Sequence, residues 1–381
     1  MKRDGYGTHA RSIVRSDRPL TVTVDVTAGP PASNGGHEPL NLRELKDLFG
    51  RMAGQRVPIV VLSAARGAAR DDVDQLIEHA AALRLRVGLD LGSTWAQRTV
   101  PEPSAVSGIG RDRFLDELRG HRGAGLDQVE LELDLDSTVS AAMPAASTEC
   151  LLRVVDDAHD LDLAVGVHTP LRGDAGSRIR EIADLFAERG VESWQISFFD
   201  RCDDPAASPS LGAREIHATF AALYSIELEE QTMLTVVEAP HYRRYRIERE
   251  EGSCGDPTDA SVRAVVEDRC GVRADIGLRR HAADAGRPCL YVDRHGEVFP
   301  SPRLPISAGN IRDRALIDIY RNSDVFTLLR NTEGLVGKCS LCGFRRLCGG
   351  SRARAWHRGG DCMNTDPACA FEPGPAPDNE S

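Results

Sequence analysis

The sequence predicts an α/β protein: an open barrel of parallel strands wrapped by helices, followed by a small cysteine-rich domain. Three observations carry that reading. Short apolar or alternating runs recur along the first two thirds of the chain, with helical patterns between them. One of these runs, "VELELDLD" (129–136), is apolar on one face and acidic on the other. Near the C-terminus Cys339, Cys342, Cys348 and Cys369 follow in a Cys-x2-Cys-x5-Cys-x20-Cys spacing, whereas no cysteine precedes Cys150.

The elements follow in order. "LTVTVDVT" (20–27) alternates as a strand with two unlike faces should. Asn41 can cap a helix through Met52 that carries Leu45, Leu48, Phe49 and Met52 on one face. "PIVVLS" (58–63) reads as the next strand, and a helix around 71–84 carries Val73, Leu76, Ile77 and Ala80. Further strands are expected near 85–91, 128–135, 161–168 and 193–199, with helices near 111–122, 148–159, 177–189 and 210–224. Six strand–helix units imply parallel strands with helices outside.

In 129–136, Val129, Leu131, Leu133 and Leu135 share one face; Glu130, Glu132, Asp134 and Asp136 share the other. A flat sheet covered on both sides would bury those carboxylates at high cost. An open barrel turns its apolar face to the helices and its acidic face to a wet lumen. Strands 20–27 and 85–91 have the same habit, through Thr21, Thr23 and Asp25 and through Arg86 and Asp90. The alternative is an edge strand with a solvated face. Such a lumen could bind a cationic segment or a metal, but hydrated carboxylates in an empty barrel are the plainer expectation. His241 and Tyr242, in "EAPHYRRYRIERE", could touch a substrate; a solvated helix start is the plainer expectation there too.

After residue 285 the pattern changes. "CLYVDRHGEVFPS" (289–301) reads as a hairpin turning at Arg294–Gly296, and "RALIDIYRN" as a short helix before the cysteines. The expected division is an N-terminal extension (1–19), the barrel (20–285), the cysteine-rich domain (286–372) and a disordered tail (373–381).

Composition excludes several classes. With 58 acidic and 47 basic side chains the net charge is −11, which repels phosphate backbones and argues against nucleic-acid partners. "VPIVVL" is too short to cross a bilayer, and "MKRDGYGTHARS" has no apolar stretch behind it. A soluble cytoplasmic protein with no membrane partner is expected, where ten cysteines argue for thiols or metal ligands rather than disulfides. No phosphate-binding loop and no nucleophile-triad pattern is present in the sequence.

Four thiolates suit either Zn²⁺ or an iron–sulfur cluster. A zinc ribbon pairs two CxxC knuckles, whereas here Cys348 and Cys369 stand singly, which favours a cluster. Cys362 is a spare ligand. "CSLCGFRRLCGGSRARAWHRGGDCMNTDPAC" resembles the auxiliary-cluster segment of radical SAM proteins with a SPASM or twitch domain. It is most similar to the alternative haem-biosynthesis and peptide-maturase branches. The likeness runs upstream through "GEVFPSPRLPISAGNIRD" and "EAPHYRR", and the strand–helix units are similar to that superfamily's partial (β/α)6 TIM-like barrel. The resemblance implies one auxiliary [4Fe-4S] cluster on Cys339, Cys342, Cys348 and Cys369. Cys289 stands alone, with Ser301 where a second hairpin cysteine would be expected, so no second auxiliary cluster is implied.

The same resemblance exposes a loss. Radical SAM enzymes carry CxxxCxxC after the first strand, but here "VTAGPPASNGGHEPLN" puts Pro30, Asn34 and His37 at those positions. The Gly-Gly-Glu-Pro-like turn after the second strand is replaced by "SAARG", with Arg66 where an acidic residue is expected. SAM binding and cleavage are therefore not expected. The leading reading is a degenerate radical SAM/SPASM protein acting by substrate binding or electron transfer. Its partners would be an intact radical SAM enzyme, a peptide or a small-molecule substrate. An iron–sulfur enzyme with atypical chemistry is the alternative, and a zinc-stabilised interaction module the lesser one.

Overall fold

The computed structural model describes residues 17–29, 37–99, 109–135, 148–172, 175–198, 211–229, 232–251 and 289–373. Seven strand–helix units wind through it. They run β1 (Thr21–Asp25), α1 (Leu42–Gly54), β2 (Ile59–Ser63), α2 (Val73–Ala82), β3 (Arg86–Gly92), α3 (Thr94–Thr99), α4 (Ile109–Ala124) and β4 (Gln128–Glu132). Then come α5 (Thr148–Asp160), β5 (Ala164–Pro170), α6 (Ile179–Glu188), β6 (Ser193–Ser197), α7 (Ala213–Glu229), β7 (Met233–Val237) and α8 (Tyr242–Glu251). All seven strands are parallel, in sequence order, giving the expected partial TIM-like barrel.

Six units were expected from the sequence; the seventh adds β7, "MLTVV", whose five residues mostly stay half-buried at the sheet edge and lack alternation. At the other edge, β8 (Cys289–Val292) pairs parallel with β1, and β9 (Val298–Phe299) turns back antiparallel on β8. The predicted hairpin therefore exists, and it also extends the barrel sheet to nine strands. Beyond it lie α9 (Leu316–Asn322), α10 (Asp324–Arg330), α11 (Lys338–Leu341) and α12 (Arg352–Gly359). Most of the expected N-terminal extension and of the tail, and Pro30, Asn34 and Asp136, fall outside the described residues.

Local chemistry explains the helix that opens the barrel. Asn41 accepts from the Glu44 N–H at 3.0 Å, while Glu44 accepts from the Asn41 N–H at 2.8 Å, a reciprocal capping box. The apolar stripe Leu45, Leu48, Phe49 and Met52 is buried against the sheet. Glu44 also receives Arg312 Nε at 2.6 Å, which holds its carboxyl below the usual range and ties this helix start to the C-terminal segment.

The two-faced strands resolve into layers. Val129, Leu131, Leu133 and Leu135 are all buried in the core, as their alternation implies. The opposite face forms a polar row: Asp25, Ser63, Asp90 and Glu130 are successive register partners, followed by Gly166 and Ser193. The expectation of hydrated carboxylates fails at Glu130, which is 1% exposed. Gly166 on the neighbouring strand leaves the room it occupies, and Gln128 Nε2 donates to it at 2.7 Å.

A methyl group at Gly166 would lie within 2.6 Å of three Glu130 carboxylate atoms. Gly166→Ala should therefore cost about 1–3 kcal/mol, the usual penalty for overpacking. Denaturant unfolding should show a smaller cost when Glu130 is also replaced by Ala, because the obstructing carboxylate is gone.

Candidate metal centre and barrel lumen

The cysteine-rich segment joins the barrel through one buried polar knot. Arg354, on α12, places Nη1 at 2.9 and 3.1 Å from the two carboxylate oxygens of Asp366, which is fully buried. Its Nη2 donates to the Phe198 carbonyl at 2.7 Å and to the Glu238 carbonyl, both on the barrel. Ser351 Oγ donates to the Glu238 carboxylate and accepts from the Arg354 N–H, so it caps α12 while bridging the two parts. Glu238 adopts φ of 57°, a left-handed conformation unusual for a non-glycine residue. Burial, the largest single influence, would raise the Asp366 pKa, but the Arg354 charge, a smaller one from His241 and the Ser351 and Ala368 N–H groups together outweigh it and hold the carboxyl low.

His241 and Tyr242 belong to this junction, which overturns the expectation of a solvated helix start. His241 is 1% exposed, packs at 5.1 Å from the Phe220 ring, and has neither ring nitrogen hydrogen-bonded. Its Nδ1 lies 3.9 Å from Asp366 Oδ2. Tyr242 is 6% exposed and donates to Glu227 at 2.9 Å. The run "HYRRYR" looked solvated because its arginines are charged; those arginines pair inward, and the aromatic residues fill the core.

The four predicted ligand cysteines surround one small region, and all are half-buried free thiols. The Gly350 N–H, two residues on, donates to Cys348 Sγ at 3.4 Å, and the Phe344 and Phe371 backbone N–H groups partly offset the effect of burial on Cys342 and Cys369. Such donors suit thiolate ligands, because they solvate negative sulfur. Gly350 has φ of 70°, and a Cβ there would come within 2.4 Å of Arg352 Nη2 and 2.9 Å of Asp366 Cβ. Only glycine lets that N–H reach Cys348.

Burial pushes the Cys342, Cys348 and Cys369 thiols up, with the Cys348 sulfur the most enclosed. The thiols act on one another's charge: Cys342 with Cys339 and Cys369, and Cys348 with Cys342 and Cys369. No three His, Cys, Asp or Glu side chains close to metal-coordination distance among the described residues. The donor set thus fits a four-thiolate centre in chemistry and hydrogen bonding, with the sulfurs grouped but not drawn in. Cys362 instead packs in a separate apolar cluster with Leu304, Leu335 and Met363.

The lumen holds a second constellation at the C-terminal ends of its strands, where barrels place their chemistry. His168 Nδ1 lies 3.2 Å from Glu132 Oε2, and its Nε2 lies 2.8 Å from Ser197 Oγ. Asp134 pairs with Arg172 at the rim. This carboxylate–imidazole–hydroxyl line joins residues 29 and 36 positions apart, so no local motif announced it. Nearby, Tyr291 donates to Asp25 at 2.9 Å, and Arg66 lies 5.9 Å from the Tyr291 ring centre.

Beyond β1 a cavity of about 510 Å³ is lined by Asp25, Thr27, Gly29, Arg70, Asp72 and Arg294, among others. Arg294 lies over Gly29, where a Cβ would be 1.9 Å from Nη1. Of the three positions aligned with the missing cysteines, only His37 is described, and its carbonyl faces His295 Nδ1 at 2.7 Å.

No family model matches the chain. It is 25% identical over 342 residues to the AdoMet-dependent heme synthase of Methanosarcina barkeri, covering 88% of each chain. Identity to the PqqA peptide cyclase of Bradyrhizobium diazoefficiens is 23% over 385 residues, covering 93% of this chain and 87% of that one. Among solved structures, Streptococcus suis SuiB bound to precursor peptide SuiA matches with a TM-score of 0.60 at 9% identity, covering 93% of this chain and 76% of SuiB. The anSMEcpe enzyme with bound AdoMet and Cp18Cys peptide matches at 0.55 and 12% identity, covering 92% and 94%. The curated relatives are thus named AdoMet-dependent heme synthases and PqqA peptide cyclases, and the SuiB and anSMEcpe structures share the fold. No helix among the described residues is long and apolar enough to cross a membrane.

His241 gives the junction a pH dependence. Burial, only partly opposed by Asp366, lowers its pKa from 6.5 to about 4. The folded state therefore binds fewer protons than the unfolded state between those values, and stability falls as pH drops through that window. The loss should approach about 3 kcal/mol and level off below pH 4. His241→Phe should flatten the difference in unfolding free energy measured at pH 7 and pH 5.

Proposed function

We propose that this chain is a degenerate radical SAM/SPASM protein that holds one auxiliary [4Fe-4S] cluster and does not itself cleave SAM. It would act by presenting a peptide or small-molecule substrate to an intact partner enzyme, or by passing electrons to it. The observation that carries the cluster is the set of four grouped cysteines, whose thiols act on one another's charge and one of which, Cys348, accepts the Gly350 N–H at 3.4 Å. Cys339, Cys342, Cys348 and Cys369 would hold it, and the cluster would supply one-electron chemistry. The chain's own part is to enclose the sulfurs, orient N–H dipoles at them and lock the segment to the barrel through Arg354. The loss of SAM chemistry rests on the absence of any cysteine before Cys150.

A second reading is an iron–sulfur enzyme with atypical chemistry in the barrel. The Glu132–His168–Ser197 line favours it: Glu132 fixes the His168 ring through Nδ1, leaving Nε2 to exchange a proton with Ser197. The two readings separate on whether a substrate is turned over without a partner enzyme.

Anaerobic reconstitution should yield about four iron and four sulfide per chain, the content of one such cluster. Cys342→Ala should remove most of both. Stoichiometric zinc without sulfide would instead establish the zinc-stabilised module.

The reduced, reconstituted protein should release no 5′-deoxyadenosine from SAM, and calorimetry should detect no SAM binding at physiological concentration. An open-iron cluster needs three thiolates after β1, and "AGPPASNGGHE" has none. SAM cleavage by the partner-free chain would overturn the degenerate reading.

A further inference from the structure

The barrel helix α8 does more than support the cysteine segment: it forms one wall of it. Ile247 on that helix is buried with Phe344 and Leu347, and Cys342, Cys348 and Phe371 pack against this group. Arg243 Nη1, also from α8, donates to the Leu347 carbonyl at 3.1 Å. Between these contacts sits Arg244, only 5% exposed. Its guanidinium lies 4.4 Å from the centre of the Phe371 ring, and Phe371 is the residue whose N–H faces Cys369. Nη1 contacts both Glu248 carboxylate oxygens, at 2.5 and 2.6 Å, whereas buried Nε has no hydrogen-bond partner.

We propose that Arg244 is a potential-setting cation for the cysteine centre, supplied by the barrel and partly cancelled by Glu248. This rests on the cluster reading above. Arg244 touches no part of a substrate; it acts through the charge it brings to the centre. A four-thiolate cluster gains one negative charge on reduction, and a buried positive charge nearby stabilises that state. The Arg244 charge acts on both Cys342 and Cys369, one from each half of the ligand set, less strongly at Cys369 than Asp366 and Lys338 do.

The other charges nearby are balanced or better solvated. Lys338 Nζ lies 2.6 Å from the Cys369 carbonyl but is 24% exposed and paired with Glu372 at 3.0 Å. Asp366 acts on Cys348 and Cys369 but is itself held by Arg354 at 2.9 Å, so its charge is tied to the junction. Arg244 and Glu248 therefore form the adjustable pair, and their opposite signs give opposite predictions.

The test is an EPR-monitored redox titration of the full-length, anaerobically reconstituted chain. Arg244→Gln should lower the midpoint potential by about tenfold in the reduction equilibrium, or 59 mV for one electron. Arg244→Lys should stay near wild type. Glu248→Gln, which uncovers the cation, should move the midpoint the other way, a result that mere loosening of the fold would not give. A Glu248→Gln midpoint equal to or below wild type would overturn the inference, even if Arg244→Gln failed to retain its cluster. So would an unchanged midpoint in a fully loaded Arg244→Gln protein. Absence of iron and sulfide from the wild-type chain would instead remove the cluster reading, and this inference with it.

Discussion

The Arg354–Asp366 ion pair is the interaction on which the two-part architecture depends. An arginine buried to 5% exposure survives only if its donors find partners, and here Asp366 and two barrel carbonyls supply them. Removing either member would leave an uncompensated buried charge, which typically costs about 3–5 kcal/mol. The pair also fixes the ligand loop, since Asp366 accepts from the Ser351 and Ala368 N–H groups, bracketing the stretch between Cys348 and Cys369. One carboxylate thus sets the distance between two proposed ligands and the barrel at once.

Strain gathers around the same point. Glu238 holds a left-handed backbone so that its carbonyl meets Arg354 and its carboxylate meets Ser351. His241, three residues later, is buried with neither ring nitrogen paired. Both features are unfavourable locally, and both sit in the turn that leads from β7 into α8. A chain selected only for stability would relax them. Their persistence fits a junction whose job is to hold a cysteine centre at a fixed place relative to the lumen.

The lumen shows how a barrel reconciles carboxylates with burial. Each strand alternates, so one face meets helices and the other meets neighbouring lumen side chains. Glu130 is covered because the facing position on β5 is glycine, while Glu132 and Asp134 reach partners on β5 and just beyond it: His168 and Arg172. Glu132 and Asp134 are thus paired across strands, whereas Glu130 is partnered by Gln128 on its own strand.

The sequence by itself determined what depends on local pattern. Periodicity located six of the seven strands of the strand–helix units and most of the helices, and the Asn41 cap was legible in local sequence. The spacing from Cys339 to Cys369 marked the candidate centre, and the lack of early cysteines marked the missing one. Tertiary structure decided everything that rests on distant partners. β7 was illegible because its five residues, "MLTVV", are short, mostly apolar and half-buried along nearly their whole length, without the alternation that marks a two-faced strand. The burial of His241 and Arg244 was illegible because charge in "HYRRYR" masks which face turns inward. The Glu132–His168–Ser197 line and the contacts of Arg354 with Phe198 and Glu238 join residues 29 to 156 positions apart, so only the closing of the barrel brings them together.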